Sequence, residues 1–282
     1  MSGTLFVVAT PIGNLEDITG RALRVLREAS IIAAEDTRRT AHLLARYAIT
    51  TPTTSLHEHN EANKTGSLVA RLERGESIAL VSDAGTPTIS DPGQGLIKAA
   101  IDAGIRVEPV PGPNAAIAAL AVSGLPIDSF SFLGFPPTRS KARSEWFTRL
   151  RAVGGTIVFF EAPHRIRQTL DELRREVGDC QVAVCRELTK IHEELVRGPI
   201  TEVLGKLESP LGEFTVVALI GQSTENNPPD PPGPAEVFTE FGDLTNRGQL
   251  SRRAAVAALA KRHKMGANAI YKLIEVGKKS GQ

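Results

Sequence analysis

The chain has little cysteine and no long apolar run, and both shortages exclude whole classes of protein. Its 282 residues include two cysteines, Cys180 and Cys185, too few for a disulfide scaffold or a four-cysteine zinc site. We expect both to be reduced and to lie in or near a strand. No apolar run approaches the roughly 20 residues that span a bilayer, and no basic and then apolar leader follows Met1. We therefore expect a cytoplasmic protein.

Several nucleotide-binding and hydrolytic motifs are absent as well. The sequence has no G-x-x-x-x-G-K-[ST], and its first expected strand-to-helix turn, at 9–14, lacks G-x-G-x-x-G, so a Walker-type loop and the usual NAD fingerprint are excluded. Neither G-x-S-x-G nor H-E-x-x-H occurs. His57 and His59 supply only two metal ligands, which favours hydrogen bonding or substrate contact over a metal site.

Charge is unevenly distributed along the chain. Residues 247–282 contain nine Lys and Arg against one acidic residue, a net charge of +8, whereas residues 1–246 carry 24 basic against 31 acidic residues. A basic segment on an acidic body indicates a polyanionic partner. A solvated tail that improves solubility would have the same composition.

The sequence does show a regular alternation of strand and helix patterns, typical of an α/β fold with a mostly parallel sheet. Residues 125–224 repeat the alternation. Five of the twelve residues at 225–236 are proline, which predicts a stiff linker. We predict α/β lobes at 1–124 and 125–224, a proline-rich linker at 225–235 and a basic helical domain at 236–282. In that domain, two short helices around the break at 264–266 resemble a helix-turn-helix, although a plain helical hairpin explains the same residues.

Polar clusters follow several of the predicted strands. The most distinctive is V-S-D-A-G-T-P-T-I-S-D-P-G at 81–93, directly after the apolar run 78–81. Its glycines, prolines and aspartates predict a loop that presents backbone amides and short polar side chains, although a turn that caps the next helix fits too. Further clusters lie at 11–14, 35–39, 57–60, 111–114, 161–165 and 186–190, each with a local alternative, such as Asp36 as a helix cap or Glu187 and Lys190 as a surface ion pair.

Five of these segments resemble a known family: T-P-I-G-N-L-E-D-I-T at 10–19, A-E-D-T-R at 34–38, S-D-A-G-T-P at 82–87, F-F-E-A-P-H-R at 159–165 and R-E-L-T-K at 186–190. The chain resembles the ribosomal RNA small subunit methyltransferase I family, a branch of the tetrapyrrole methylase superfamily, over its whole length. The resemblance implies a homodimeric, S-adenosylmethionine-dependent enzyme that methylates the ribose 2′-hydroxyl of one decoding-centre cytidine in the 16S rRNA of the 30S subunit.

The resemblance also implies where the cofactor binds, namely in a cleft between the two lobes. No metal is implied. Asn114 and Ala115 stand where tetrapyrrole-modifying relatives often have serine, so a side-chain hydroxyl contact is not expected there. The expected cofactor contacts are Pro11, Asp83, Gly85, Thr86, Pro87, Ile89, Phe160, Leu188, Phe214 and Thr215.

Methyl transfer to a ribose hydroxyl requires an aligned nucleophile, and a base or a nearby cation that lowers the hydroxyl pKa would assist it. The catalytic candidates are Lys190, Glu187, Glu161 and His164, among which the sequence ranks no single base. The candidate phosphate contacts are Arg38, Arg39, Arg165, Arg252, Arg253, Lys261 and Arg262. Two alternatives stay open: a small-molecule methyltransferase that acts on a corrinoid or tetrapyrrole, and a non-catalytic RNA-binding protein without cofactor affinity.

Overall fold

The computed structural model describes residues 2–207, 211–221, 234–246, 250–263 and 265–280. They fall into two compact units, Met1–Gly221 and Gln222–Gln282. The proline-rich linker predicted at 225–235 lies, up to residue 233, outside the described residues. None of the helices in the described ranges has the length and apolar character that crossing a membrane requires.

The larger unit begins with a fully parallel sheet, as predicted. Its strands are β1 (Thr4–Val8), β2 (Ile31–Ala34), β3 (Thr53–Ser55), β4 (Ile78–Val81) and β5 (Arg106–Val110), in the order β3-β2-β4-β1-β5. Strands β2 and β4 are buried at every position, because helices cover both faces of the sheet. Helices α1 (Gly20–Glu28) and α2 (Thr37–Arg46) pack on one face, and α3 (Glu61–Glu73) and α4 (Gln94–Asp102) on the other.

Polar side chains define where several of these helices begin. Asp36 caps α2 by accepting a hydrogen bond of 2.8 Å from the Arg38 amide, which confirms the cap expected there. Asn114 caps α5 (Ala115–Ser123) by accepting one of 3.1 Å from the Ile117 amide. Both caps follow the carboxyl ends of strands, so they hold the strand-to-helix loops at one edge of the sheet.

The second sheet is mixed. Its strands are β6 (Phe130–Phe132), β7 (Gly155–Glu161), β8 (Gln181–Arg186), β9 (Glu194–Pro199) and β10 (Phe214–Ile220), in the order β6-β7-β10-β8-β9. Only the β6–β7 pair is parallel among these neighbours. Strand β9 was not predicted from the sequence. It is an edge strand, and its charged residues and terminal Gly-Pro are not typical of a strand pattern.

Helices cover both faces of this sheet. One face carries α6 (Ser140–Val153), α7 (Ile166–Val177) and α8 (Ile200–Lys206) around a core that contains Trp146 and Phe159. The other carries α5, whose Ala116, Ala119 and Leu120 pack against the sheet. The sequence places residues up to 124 with the first lobe, yet α5 packs on the second sheet. Its composition explains the difference: A-A-I-A-A-L-A-V-S has no charged face to turn toward water.

The smaller unit consists of three helices in its described ranges, α9 (Pro234–Asn246), α10 (Arg252–Arg262) and α11 (Ala267–Ser280). Val237, Leu259, Ile270 and Ile274 form its core. The two helices predicted around a glycine-containing break are present; Lys264, in that break, lies outside the described residues.

Cys180 and Cys185 are buried free thiols. Cys185 lies within β8 and Cys180 directly before it, as expected. Burial raises the pKa of each thiol to about 12.

Candidate active site

A cavity of about 360 Å³ lies between the two sheets of the larger unit. The first lobe contributes Ile12 after β1, residues 84–86 and 89–91 after β4, and Asn114 and Ala115 after β5. The second lobe contributes Phe135 after β6, residues 160–163 at the end of β7, and Leu188 after β8. The start of β10 lies at the same edge, because antiparallel pairing places Phe214 opposite Glu161. The clusters at 11–14, 81–93, 111–114, 161–165 and 186–190 therefore meet at this cavity, whereas those at 35–39 and 57–60 contribute no lining residue.

The turn at Gly85 and Thr86 is held by the loops beside it. Gly85 exchanges two backbone hydrogen bonds with Thr10, of 2.9 and 3.0 Å, and its φ of +81° is one that glycine adopts without strain. The Thr86 hydroxyl donates to the Pro113 carbonyl at 3.3 Å and accepts from the Asn114 amide group at 3.3 Å. This turn is fixed before any ligand arrives.

The two lobes approach each other closely at Gly13. A Cβ at this position would lie 2.4 Å from Lys190 Cγ and 2.8 Å from the Leu188 carbonyl oxygen. The backbone of 187–190 adopts the left-handed region at Glu187 and Thr189, with φ of +50° and +68°. Only a residue without a side chain fits between the loops 11–14 and 187–190.

Most of the predicted cofactor residues lie on the cavity wall, and three do not. Pro11 is buried beside the lining residue Ile12. Pro87 is buried beneath the loop. Asp83 joins the ends of β2 and β4: its carboxylate accepts from the Asp36 amide at 3.0 Å, and its own amide donates to Glu35 at 3.2 Å. The predicted residues that line the cavity are Gly85, Thr86, Ile89, Phe160, Leu188, Phe214 and Thr215.

Phe160 lies within an aromatic cluster. Its ring centroid is 4.9 Å from that of Phe132 and 5.4 Å from that of Phe135, in the tilted and edge-to-face arrangements that aromatic pairs prefer. Phe160 and Phe135, together with Leu188 and Ile12, give the cavity apolar walls suited to a planar ligand group.

Glu161, a catalytic candidate, has both carboxylate oxygens occupied. Oε1 accepts from the Ala162 amide at 2.7 Å and pairs with Arg165 at 2.6 Å, and Oε2 accepts from the Thr169 hydroxyl at 2.5 Å. Arg143 donates to the same hydroxyl at 2.7 Å. The Glu161 side chain is fully buried, so this geometry favours a positioning role for it over proton transfer.

Lys190 lies between two carboxylates. Its Nζ is 2.9 Å from Glu187 Oε1 and 3.0 Å from Glu213 Oε2. Burial alone would lower the Lys190 pKa, but the hydrogen bonds to Glu187 and Glu213 outweigh burial and raise it. Burial likewise acts to raise the Glu187 pKa, and the bond to Lys190 reverses this and lowers it. Lys190 is therefore an ammonium ion at neutral pH, so it can stabilise negative charge but cannot accept a proton as a base.

The remaining candidates differ in accessibility. Of the four catalytic candidates only Glu161 lines the cavity; Lys190 and Glu187 lie in the loop of the lining residue Leu188, and His164 is exposed. Arg165 is turned inward, onto Glu161 and the Pro136 carbonyl, with 16% of its side chain exposed, which leaves little of its guanidinium for a phosphate. Arg38 is 88% exposed beside Asp36, and Arg39 is 67% exposed, 3.5 Å from Asp83. In the smaller unit, Arg252, Arg253, Lys261 and Arg262 are all exposed.

Other wall residues were not among the predicted ones. Asp91 and Asn114 belong to clusters recognised in the sequence, at 81–93 and 111–114, so their loops were signalled although the individual residues were not. Phe135 and Glu213 had no such signal, because packing between distant segments brings them to the cavity. The further lining residues are Ile12, Ala84, Ser90, Ala115, Ala162 and Pro163.

Comparisons with known proteins match this architecture. The family described as Tetrapyrrole (Corrin/Porphyrin) Methylases matches residues 4–204. A Synechocystis protein called ribosomal RNA small subunit methyltransferase I is 43% identical over 274 residues, which cover 96% of this chain and 97% of the relative. The chain belongs to this family. The relatives of the same name from Halalkalibacterium halodurans and Escherichia coli O157:H7 are 48% identical over 76% of this chain and 75% of the relative, and 40% identical over 96% and 94%.

Solved structures with the same fold are more distant in sequence. A diphthine synthase has a TM-score of 0.59 at 14% identity, covering 77% of this chain and 90% of its own. A uroporphyrin-III C-methyltransferase from Thermus thermophilus, solved with S-adenosyl homocysteine, has a TM-score of 0.53 at 19% identity, covering 76% and 97%. At these identities the likeness shows that the methyltransferase I family shares the two-lobed fold of these enzymes.

Proposed function

We propose that this protein transfers a methyl group from S-adenosylmethionine to the ribose 2′-hydroxyl of cytidine 1402 in 16S rRNA. The observation that carries the proposal is the cavity between the two lobes, formed by the loops that bear the family's sequence motifs. Its volume of about 360 Å³ falls within the range of small-molecule sites, roughly 300 to 1,000 Å³.

The residues on the cavity wall fit this cofactor. Phe160, Phe135 and Leu188 offer an apolar surface for the adenine ring, and the turn at Gly85 and Thr86 offers backbone groups for the ribose and amino-acid end. Gly85 leaves open the space that a Cβ would fill, 3.4 Å from Ile12 Cγ2. A ligand can therefore approach the backbone at this turn closely.

The bound cofactor supplies an electrophilic methyl group on a sulfonium, and the protein has to hold the ribose oxygen in line with it. The preformed turn and the tightly packed loops 11–14 and 187–190 give the rigidity that alignment needs. We assign Lys190 to stabilising the negative charge that develops on the ribose oxygen, since two carboxylates keep its ammonium charged. Glu187 orients that ammonium, and Glu161 orients Arg165 and the beginning of α7.

Exposed arginines support RNA as the substrate. Arg38 and Arg39 lie at the beginning of α2, at the same carboxyl edge of the first sheet as the cavity-lining loop after β4. The smaller unit adds Arg252, Arg253, Lys261 and Arg262 in a segment with a net charge of +8. We propose that both groups bind rRNA phosphates in the 30S subunit, where guanidinium groups form bidentate contacts.

We also propose that the protein is a cytoplasmic homodimer. Four large apolar side chains between α5 and β6 are more than two-fifths exposed, namely Ile117, Val122, Ile127 and Phe130. Exposed apolar side chains concentrated in one segment of the chain support burial against a second copy. Sedimentation equilibrium of the wild-type protein tests this directly, and a monomer at micromolar concentration would contradict it.

The decisive experiment is transfer of a labelled methyl group onto isolated 30S subunits, with the modified nucleotide mapped by mass spectrometry. We expect one 2′-O-methylated cytidine in 16S rRNA. Methylation of a corrinoid or tetrapyrrole instead of the subunit would favour a small-molecule methyltransferase. Binding of rRNA without affinity for S-adenosylmethionine in a calorimetric titration would favour a non-catalytic RNA-binding protein.

A further inference from the structure

Three carboxylates line the cavity, and their surroundings distinguish them. The Glu161 oxygens are taken by Arg165, Thr169 and a backbone amide. Glu213 is 71% exposed and pairs with Lys190. Asp91 has no ion pair with a cation in the described part of the chain, and the Ser82 hydroxyl favours its ionised form. Of the three, Asp91 has the carboxylate best able to accept a proton from a bound substrate.

The loop that carries Asp91 is held in an unusual conformation. Thr88 and Ser90 have φ of +71° and +70°, a region that non-glycine residues enter at some cost in free energy. Gly93 follows with φ of +117°, where a Cβ would lie 2.7 Å from Leu80 Cδ2. The beginning of the same loop is tied to Thr10 and Pro113. The loop thus presents Asp91 to the cavity at a fixed place, as a reacting group requires.

The charges around Asp91 increase its basicity. Burial is the largest effect, and the neighbouring carboxylates Glu35 and Asp83 add to it, so the Asp91 pKa rises to about 6; the Ser82 hydroxyl acts against the rise. Arg39, from the beginning of α2, lies 3.5 Å from Asp83 and partly compensates the negative charge of that carboxylate. Half-buried Asp91 is therefore ionised at pH 7 and yet a stronger base than an ordinary aspartate, the compromise that general-base catalysis favours.

We propose that Asp91 is the general base that accepts the proton of the ribose 2′-hydroxyl during methyl transfer, an inference that rests on the proposed function. As the ribose oxygen bonds to the methyl carbon, the carbon–sulfur bond breaks and its electron pair stays on sulfur, which becomes a neutral thioether. The hydroxyl proton passes to the Asp91 carboxylate and from there to water. Lys190, on the opposite lobe, supplies positive charge and no proton acceptor.

The test compares wild type with Asp91→Asn, which keeps the shape and removes the proton acceptor. At saturating S-adenosylmethionine and 30S subunits we expect kcat to fall by about 100-fold or more, with calorimetric affinity for S-adenosylhomocysteine retained. The wild-type rate should rise with pH through one ionisation, and that rise should disappear in Asp91→Asn. Asp102→Asn is the matched control, because Asp102 pairs with Lys98 on the exposed side of α4, away from the cavity; it should behave as wild type.

A readout independent of turnover is the carboxyl ¹³C titration of labelled aspartates. One resonance should titrate near pH 6 and vanish in Asp91→Asn. Because folding raises the Asp91 pKa from 3.8 to about 6, the native state loses stability as the pH rises from about 4 to about 6, and the loss persists at higher pH. Asp91→Asn should therefore melt at a higher temperature than wild type at pH 8, and this gain should shrink below pH 6 and disappear near pH 3, where Asp91 is protonated in both states.

Each contrary outcome identifies what fails. Wild-type turnover retained in Asp91→Asn, or a pH profile unchanged by the substitution, would overturn the base assignment and leave the proposed function standing. Loss of S-adenosylhomocysteine binding in Asp91→Asn would also overturn it, by making Asp91 a cofactor ligand. Wild type that transfers no methyl group to 30S subunits would overturn the proposed function, and the base assignment with it.

Discussion

Replacing Gly13 with alanine tests whether the two lobes are packed as closely as the geometry indicates. The added Cβ would meet Lys190 Cγ at 2.4 Å, the Leu188 carbonyl oxygen at 2.8 Å and Thr189 Oγ1 at 2.8 Å. Real carbon contacts are not this short, and one of these atoms belongs to the backbone. The loops 11–14 and 187–190 would therefore have to separate.

The size of the effect follows from the cost of inserting one methyl group into a packed site, about 1 to 3 kcal/mol. Ile12 and Leu188, which flank Gly13 and its contacts, both line the cavity, so separation would also widen the ligand site. We expect Gly13→Ala to lower the free energy of unfolding by this amount and to weaken binding of S-adenosylhomocysteine.

Gly20→Ala is the matched control. Gly20 is the first residue of α1, and a Cβ there would have no neighbour within 4 Å. Alanine should leave stability unchanged or raise it by about 0.4 to 1 kcal/mol, through reduced freedom of the unfolded chain. The free energy of unfolding is measured by urea titration, followed by far-ultraviolet circular dichroism and by the fluorescence of Trp146. Ligand affinity is measured by calorimetry. If the two alanine variants unfold at the same urea concentration and bind the ligand equally, the close packing at Gly13 is wrong.

Three further predictions concern cofactor binding, catalysis and RNA. Thr86→Arg should abolish the binding of S-adenosylhomocysteine, measured by calorimetry, without changing the melting temperature, because the arginine side chain fills the cavity beside Gly85. Wild-type affinity in this variant would show that the turn is not part of the cofactor site. Lys190→Ala should lower turnover by about 100-fold with cofactor affinity retained. Lys98→Ala, which breaks an exposed ion pair with Asp102, should change neither quantity. Equal turnover in both variants would mean that Lys190 forms only a surface ion pair and takes no part in catalysis. Removing residues 236–282 should leave the larger unit folded, since the two units are separately compact. If three or four phosphate contacts are lost, the slope of log affinity for rRNA against log salt should flatten by about 2 to 4. An unchanged slope would mean that the smaller unit does not bind rRNA phosphates.

Much of the fold could be predicted because it depends on local pattern. Apolar runs such as 78–81 became strands, and Asp36 capped α2 as its place before a helical pattern indicated. These features depend on residues within one turn or one strand of each other. Strand β9 was missed for the same reason, since its pairing with β8 is a relation between segments and its sequence, E-L-V-R-G-P, has only two adjacent apolar strand formers between charged residues.

The roles within the candidate site depended on tertiary structure. Read along the chain, Asp91, Glu161 and Glu213 are three acidic residues, of which only Glu161 was a catalytic candidate. Folding places Arg165 and Thr169 on Glu161 and Lys190 on Glu213, and it leaves Asp91 facing the cavity near Glu35 and Asp83. The protonation state of Lys190 depends on one carboxylate three residues away, Glu187, and on a second 23 residues away, Glu213. The sequence alone determined which loops carry polar chemistry, because that is a matter of composition. The tertiary structure decided which polar side chains of these loops are free to react, because distant segments of the chain supply the charges and hydrogen bonds around them.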